Sequence, residues 1–336
     1  MPKQFIDFFS TGRTLLQSTF DRVMKLVPVE NIYVSTNHEY AHYVLEQLPL
    51  LPPDNVLSEP VHRNTGASVA WATYRVYRRD KNARLIVVPS DQAVFKEERF
   101  LENVNQGFNI VGEHDIILTM GVKPTRPEPG YGYIQIGEKT ISDDVFSMKS
   151  FTEKPERDFA RIFVDSGEFL WNSGLYLSNV TYLRQRLHEV FPAVLRRIDE
   201  ALKSPSLEDE LLYIEENFSS YPNVSIDSGL LEGGAEVWVM RCDFGWADLG
   251  MWHSIYENMQ KGENDNVVIA SNVMLEDCKN NIVKLPKDRL GIINGLEGYI
   301  VAEEGNVLLI CKKEDSSALV KKYVSEVLLK QGEDFI

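Results

Sequence analysis

The sequence predicts an α/β protein whose mixed, mostly parallel sheet is flanked by helices and followed by a small β-rich domain. Two observations predict the first part. Short β-prone runs alternate with longer amphipathic stretches over roughly the first three quarters of the chain, the pattern of strand–helix–strand units. Those runs also stop at turn residues, as where residues 84–88 (RLIVV) end at Pro89. A third observation predicts the β-rich tail. After about Asn264 the alternation gives way to short β-prone pieces separated by Gly, Asn and Asp.

In chain order, residues 31–35 have the apolar content of a buried strand and 38–48 that of the helix after it. Residues 55–58 form a second short strand. Residues 65–79 have helix-forming composition, and their terminal arginines suit the negative end of a helix dipole. Strand 84–88, helix 97–112 and strand 115–121 continue the alternation. From Gly130 the expected strands are 130–137, 145–151 and 168–177. Helices are expected at 180–203, broken at Pro192, and at 207–217, followed by a strand at 236–244 and a helix at 249–259. The tail pieces 266–270, 273–275, 281–285, 290–293, 299–303 and 307–311 suit a coiled β-solenoid without a strict repeat. An amphipathic helix at 316–330 closes the chain. The expected boundary gives domains 1–260 and 261–336.

Hydrophobic residues make up 43% of the 336 and charged residues 25%, ordinary globular values, so a core of this size needs no disulfides. Cys242, Cys278 and Cys311 lie far apart with no CxxC pair, which gives no zinc signature and suits reduced thiols in the cytoplasm. Thirty-five basic against 50 acidic residues leave a net charge of −15. General nucleic-acid binding and anionic-membrane binding need a basic surface and are excluded. A few lysines sharing a site with a metal ion can still hold a triphosphate. No apolar run is long enough to span a bilayer, and the N-terminus lacks the pattern of a signal peptide. A soluble, cytoplasmic protein is expected. The six histidines form no HExxH pattern, and no GxSxG elbow occurs.

Chemistry is expected at strand ends, where open α/β sheets bind ligands. Asp91 in PSDQ follows the 84–88 strand, and Asp248 in WADLG lies at a strand-to-helix junction. Two such carboxylates can hold one Mg²⁺ that keeps further positions for substrate phosphates; the alternative is that each caps a turn or helix. In FTEKP, Pro155 biases Lys154 toward an extended backbone, which would project Glu153 and Lys154 to opposite sides. Glu153 suits sugar hydroxyls and Lys154 a phosphate, or the two form a solvated surface pair. Asn172 and Gly174 in WNSG offer an amide and close backbone approach, or a β-bulge. Gly132 in GYGY is similar. Arg63, Asn64 and Thr65 join a strand to a helix as a base-recognition loop or as ordinary caps.

In order and spacing, PKQF, EPVHRNT, PSDQ, GYGYI, FTEKP, WNSGLY, SIDSGLLE and FGWADLGMW resemble the mannose-1-phosphate guanylyltransferases, also called GDP-mannose pyrophosphorylases, over about residues 2–256. The resemblance implies a Rossmann-like nucleotidyltransferase fold with a tail like a left-handed β-helix. It implies transfer of GMP from GTP to mannose 1-phosphate, giving GDP-mannose and pyrophosphate, with Mg²⁺ as cofactor. Carried over motif by motif, it makes Asp91 and Asp248 the metal ligands and Lys3 in PKQF a phosphate contact. Gly132, Glu153 and Asn172 become mannose contacts, Lys154 the sugar-phosphate contact, and Arg63, Asn64 and Thr65 part of the guanine side. Asp227 in SIDSGLLE is a further acidic candidate near the sugar. Gln92 departs from the histidine common at that place. The family pattern also has a strand and a GGxGxRxWP loop ahead of PKQF. Here Met1 directly precedes PKQF, and a chain without that loop is expected to have little transferase activity. Alternatives are a related enzyme for another nucleotide or sugar phosphate, a non-catalytic sugar-nucleotide binder, and a glycosyltransferase, whose usual DxD motif PSDQ does not match. The tail is a candidate homodimer element.

Overall fold

A computed structural model describes residues 1–201, 206–232, 236–249, 252–314 and 316–332. Residues 202–203 of the expected helix 180–203, and residues 250–251 of FGWADLGMW and of the expected helix 249–259, lie outside the described residues. The chain divides into two compact units. One gathers residues 1–19, 90–96 and 245–336; the other holds 20–89 and 97–244.

The second unit is built on a six-stranded sheet in the order Arg84–Val87, Phe169–Asn179, Ile117–Val122, Val237–Cys242, Val145–Thr152, Tyr133–Ser142. The sheet is mixed, as expected, but antiparallel pairs prevail in it where mostly parallel ones were expected. Its parallel pairing is Ile117–Val122 with Val237–Cys242. A second parallel pair, Val34–Asn37 with Val56–Glu59, forms its own two-stranded sheet. The other neighbours are antiparallel. The reason is local: Tyr133–Ser142 and Val145–Thr152 are joined by a tight connection that forces a hairpin. Phe169–Asn179 then runs antiparallel to three strands at once.

Helix Asn64–Arg79 shows how the layers join. Ala67, Ala70, Trp71 and Tyr74 recur at the three- and four-residue spacing of one helix face and are buried. That face joins a cluster with Leu183 and Leu187 of helix Val180–Val190, and with Val194 and Ile198 of helix Pro192–Ala201. Each large apolar side chain so buried contributes ~1.5–3 kcal/mol. Two polar groups of this helix share one buried carboxylate: Trp71 Nε1 donates to Glu210 Oε1 at 2.6 Å, and Arg75 forms an ion pair with the same oxygen.

The first unit is dominated by the tail. Val267–Val268, Ile282–Lys284 and Tyr299–Glu304 stack in parallel, and Asn272–Glu276 pairs in parallel with Leu290–Asn294. Val307–Lys312 closes the first stack antiparallel. Val267, Ile282 and Ile300 are wholly buried at matching rungs. Buried Asn266 and Asn281 stitch the turns together: Asn281 Nδ2 donates to Asn266 Oδ1 at 2.9 Å and to the Leu296 carbonyl at 2.7 Å. Such bonds satisfy backbone groups that a coiled chain leaves inside. Helix Trp252–Asn258 packs on this core through Ile255 and Tyr256, and Phe8 and Phe9 join the same cluster. Among the described residues, no helix is long and apolar enough to cross a membrane.

Candidate functional site

The first cluster rests on two short strands that the sequence did not announce. Gln92–Val94 pairs antiparallel with Trp246–Asp248, and Asp248 stands opposite Gln92. Asp248 is therefore the last residue of a strand, and the pairing carries it to the neighbour of Asp91. Bonds on either side fix the register: Trp246 Nε1 donates to Gln92 Oε1 at 2.8 Å, and the Phe95 N–H to the Gly245 carbonyl at 3.0 Å. Gly245 has φ +67° and a Cβ there would lie 3.1 Å from Phe95 Cβ, so the tight crossing favours glycine.

Lys3 belongs to a single 3₁₀ turn, Lys3–Phe5, held down by the buried Phe5 ring. Its Nζ lies 3.0 Å from Asp91 Oδ2 and 2.9 Å from Asp248 Oδ1. Burial alone would lower the Lys3 pKa, but Asp248 and Asp91 outweigh it and the net direction is upward, so the ammonium stays charged. It marks a point where both carboxylates converge on one cation. Two hard oxygen donors at such a point fit Mg²⁺, which commonly takes one or two protein carboxylates and completes its shell with water and substrate phosphates. Among the described residues no group of three or more His, Cys, Asp or Glu side chains could hold a metal.

The second cluster lies in the other unit, on strand Phe169–Asn179. Asn172 Nδ2 donates to Asp227 Oδ1 at 2.6 Å and to the Tyr176 hydroxyl at 3.0 Å. Asn172 Oδ1 accepts from Thr119 Oγ1 and from the Gly174 N–H, both at 3.2 Å. Tyr176 donates its own proton to Asp227 Oδ1. Burial first, and then the Asp227 carboxylate, push the Tyr176 pKa well above its ordinary value, so this hydroxyl remains a neutral donor. The Asn172 N–H donates to the Gly132 carbonyl at 2.8 Å. A Cβ on Gly132 would sit 2.8 Å from Glu153 Oε2, so glycine is what lets the Glu153 carboxylate lie against this backbone. Tyr176, Thr119 and Asp227 are the partners that the motifs alone do not join. Tyr176 had a legible signal, since residues four apart on a strand share a face.

Glu153 and Lys154 depart from the extended geometry that Pro155 suggests. Lys154 has φ +45°, and its Nζ lies 2.6 Å from Glu153 Oε1. The ion pair and the turn after strand Val145–Thr152 override the pre-proline preference, so the two side chains meet instead of diverging.

Arg63, Asn64 and Thr65 dock the start of helix Asn64–Arg79. Arg63 Nε donates to the Ser219 carbonyl at 2.9 Å. Asn64 takes φ +59°, and its Oδ1 accepts from the Thr65 N–H at 3.0 Å. Thr65 Oγ1 accepts from the Ile226 N–H at 2.9 Å, which ties this corner to the residue before Asp227.

Residues 1–265 match the family model for nucleotidyl transferases. A mannose-1-phosphate guanylyltransferase of Sinorhizobium fredii is 31% identical over 96% of this chain and 64% of its own length. Another of that name from Salmonella muenchen is 30% identical over 96% of this chain and 68% of its own length. The chain thus spans about two thirds of the length of these curated relatives. The solved structure of mannose-1-phosphate geranyltransferase from Thermus thermophilus superposes with a TM-score of 0.82 and 26% identity, over 97% of this chain and 92% of that one.

Proposed function

We propose, because this chain belongs to the nucleotidyl transferase family, that it transfers GMP from GTP to mannose 1-phosphate and makes GDP-mannose and pyrophosphate. The relatives named for that reaction support the choice of substrates. The observation that carries the chemistry is the convergence of Asp91 and Asp248 on one cationic point at Lys3.

The reaction needs no general base. The phosphate of the sugar is already an anion at neutral pH. One of its oxygens bonds to the α-phosphorus of GTP, the bond from that phosphorus to the bridging oxygen breaks, and pyrophosphate leaves with the electron pair. Catalysis is then positioning and charge neutralisation. Asp91 and Asp248 would hold Mg²⁺, which when bound neutralises phosphate charge. Lys3, charged and beside both carboxylates, would contact a phosphate oxygen. In the other unit, Lys154 would face the sugar phosphate, Glu153, Gly132, Asn172 and Gly174 the sugar, and Arg63, Asn64 and Thr65 the base side. Three cysteines buried without disulfides agree with a reducing compartment, and we take it to be the cytoplasm. We also take the tail as the self-association element of a homodimer: Met274 and Ile292, paired on parallel strands, are 61% and 73% exposed.

The test is pyrophosphate release across a panel of nucleoside triphosphates and sugar 1-phosphates, with and without Mg²⁺. Release with GTP and mannose 1-phosphate, abolished by chelation, is expected, weak from this chain alone and full once a GGxGxRxWP loop is supplied ahead of PKQF. Equal release with UTP and glucose 1-phosphate would reassign the substrates, and no release with any pair even with that loop would sink the reading.

A further inference from the structure

The side chain of Asn172 has no bond left to give. An amide offers two N–H donors and one oxygen with two lone pairs. Both donors face Asp227 and Tyr176, and the oxygen accepts from the Gly174 N–H and shares the one Thr119 hydroxyl proton with the nearer Leu175 carbonyl. The orientation of the amide is fixed, because a carboxylate 2.6 Å away can only accept. Tyr176, 2% exposed, uses its hydroxyl as acceptor from Asn172 and as donor to Asp227. Two of these bonds, from Asn172 and from Tyr176, converge on a single oxygen, Asp227 Oδ1. Among the described residues, Asp227 Oδ2 has no partner, and the residue is half-buried, not enclosed.

Glu153 repeats the arrangement. Its Oε1 is paired with Lys154, and its Oε2 lies against Gly132, whose carbonyl accepts from the Asn172 backbone. The charges of Asp227 and Glu153 both bear on Tyr176. One oxygen of each carboxylate is spent on the protein and the other is left to accept. Two acceptor-only oxygens set around one buried tyrosine suit a ligand rich in hydroxyl donors.

We propose that Asp227 Oδ2 accepts a hydroxyl of the sugar, and that Asn172 and Tyr176 are positioning residues that aim it. The proposal deepens the sugar-phosphate reading and rests on it. It moves sugar discrimination from the Asn172 amide, whose two N–H donors are both engaged, to a carboxylate that the amide holds. A contact to a charged acceptor discriminates strongly, since a ligand lacking the hydroxyl leaves the buried charge short of a partner.

The test is binding of mannose 1-phosphate and its 2-, 3-, 4- and 6-deoxy analogues by calorimetry, to wild-type chain, Asp227→Asn and Tyr176→Phe. Asp227→Asn is nearly isosteric. To keep the bonds from Asn172 and Tyr176, its new amide must turn its oxygen inward and present N–H outward, so the sugar meets a donor in place of an acceptor. Wild type should bind one deoxy analogue roughly tenfold or more weakly than the parent sugar. Asp227→Asn should lose that much on the parent sugar and nothing further on that one analogue, while keeping the full penalty on the other positions. Tyr176→Phe should show a smaller loss at the same position, beside a thermal midpoint lowered by the Asn172 N–H that it leaves unpaired. If wild type binds the sugars and Asp227→Asn discriminates among them as wild type does, the inference is overturned and the sugar-phosphate reading stands. If wild type binds no sugar 1-phosphate, both fall.

Discussion

The two polar clusters of this molecule are held by opposite physics. Lys3, Asp91 and Asp248 come from three distant stretches of chain and meet by charge, with side chains 42%, 36% and 33% exposed. Asn172, Tyr176, Thr119 and Asp227 meet by hydrogen bonds around a tyrosine that is almost wholly buried. Exposed ion pairs contribute about 0–1 kcal/mol and exchange partners readily. Buried networks lose heavily when one member is removed, because the rest stay desolvated. The first cluster can therefore trade its lysine for another cation without cost to the fold, while the second fixes a shape.

The strongest way to break this contrast is to remove a carboxylate from the exposed cluster. Asp91→Asn and Asp248→Asn should each lower nucleotidyl transfer by on the order of 10³-fold or more. Their thermal midpoints should stay within a few degrees of wild type, since each deletes one partly exposed ion pair. Unfolding of either variant would mean that the cluster is structural, and near-normal turnover would remove that residue from the chemistry.

A buried charge elsewhere should behave in the opposite way. Glu210 is 2% exposed and serves both Trp71 and Arg75, whose side chain is 11% exposed. Glu210→Ala leaves the Arg75 guanidinium uncompensated inside the helical layer. The expected loss is about 3–5 kcal/mol, read from denaturant unfolding. A loss below about 1 kcal/mol would show that water reaches Arg75 and that burial there is overstated.

Much of the architecture was legible in the sequence because periodicity reports burial directly. Residues 67, 70, 71 and 74 announce one helix face, and the break at Pro192 separates Val180–Val190 from Pro192–Ala201. The mixed pairing of the sheet was less legible, because strand direction depends on connections and partners that no local window contains. The short strands Gln92–Val94 and Trp246–Asp248 were invisible for the same reason: three residues carry no period, and each forms only because the other is there. That pairing is what brings Asp248 beside Asp91. Asp91 and Asp248 stood out by residue type and motif, and were expected to meet around one ion, but the strand pairing that joins them was not readable. Lys154 was misjudged from Pro155, since the bend after strand Val145–Thr152, together with the pair to Glu153, outweighs a local backbone bias.

Two lysines of one unit sharpen the role of carboxylates. Lys3 is raised by two of them, whereas Lys313, 6% exposed, sits 3.1 Å from the Tyr256 ring centroid and is pushed down to about 8, first by burial and then by Lys261. The sign follows from proton counting. Between pH 8 and the unfolded value of 10.5, the unfolded chain binds more protons than the folded one, so stability from this group rises with pH across that window. Relative to Lys313→Met, wild type should gain on the order of 1–3 kcal/mol from pH 8 to 10.5. A flat difference between the two unfolding profiles would show that the ring face fully offsets burial.

The smallest effect, and the one most specific to the exposed cluster, concerns Lys3. Its ammonium occupies the point where Asp91 and Asp248 converge, so a divalent ion arriving there must displace it or share the space. Lys3→Met removes that competitor and the positive charge it sets between the two carboxylates. Mg²⁺ should bind the nucleotide-free variant several-fold more tightly than it binds wild type, because the competing cation is gone and mutual repulsion of the carboxylates is relieved by the metal. Turnover should fall at the same time, since the lysine is also the proposed phosphate contact. The raised pKa of Lys3 adds a second signature: its stabilisation is complete below pH 10.5 and is lost as pH climbs through the higher folded value, a loss the variant should lack. Tighter metal with weaker catalysis separates a lysine that competes with the ion from one that assists its binding, in which case both quantities would fall together.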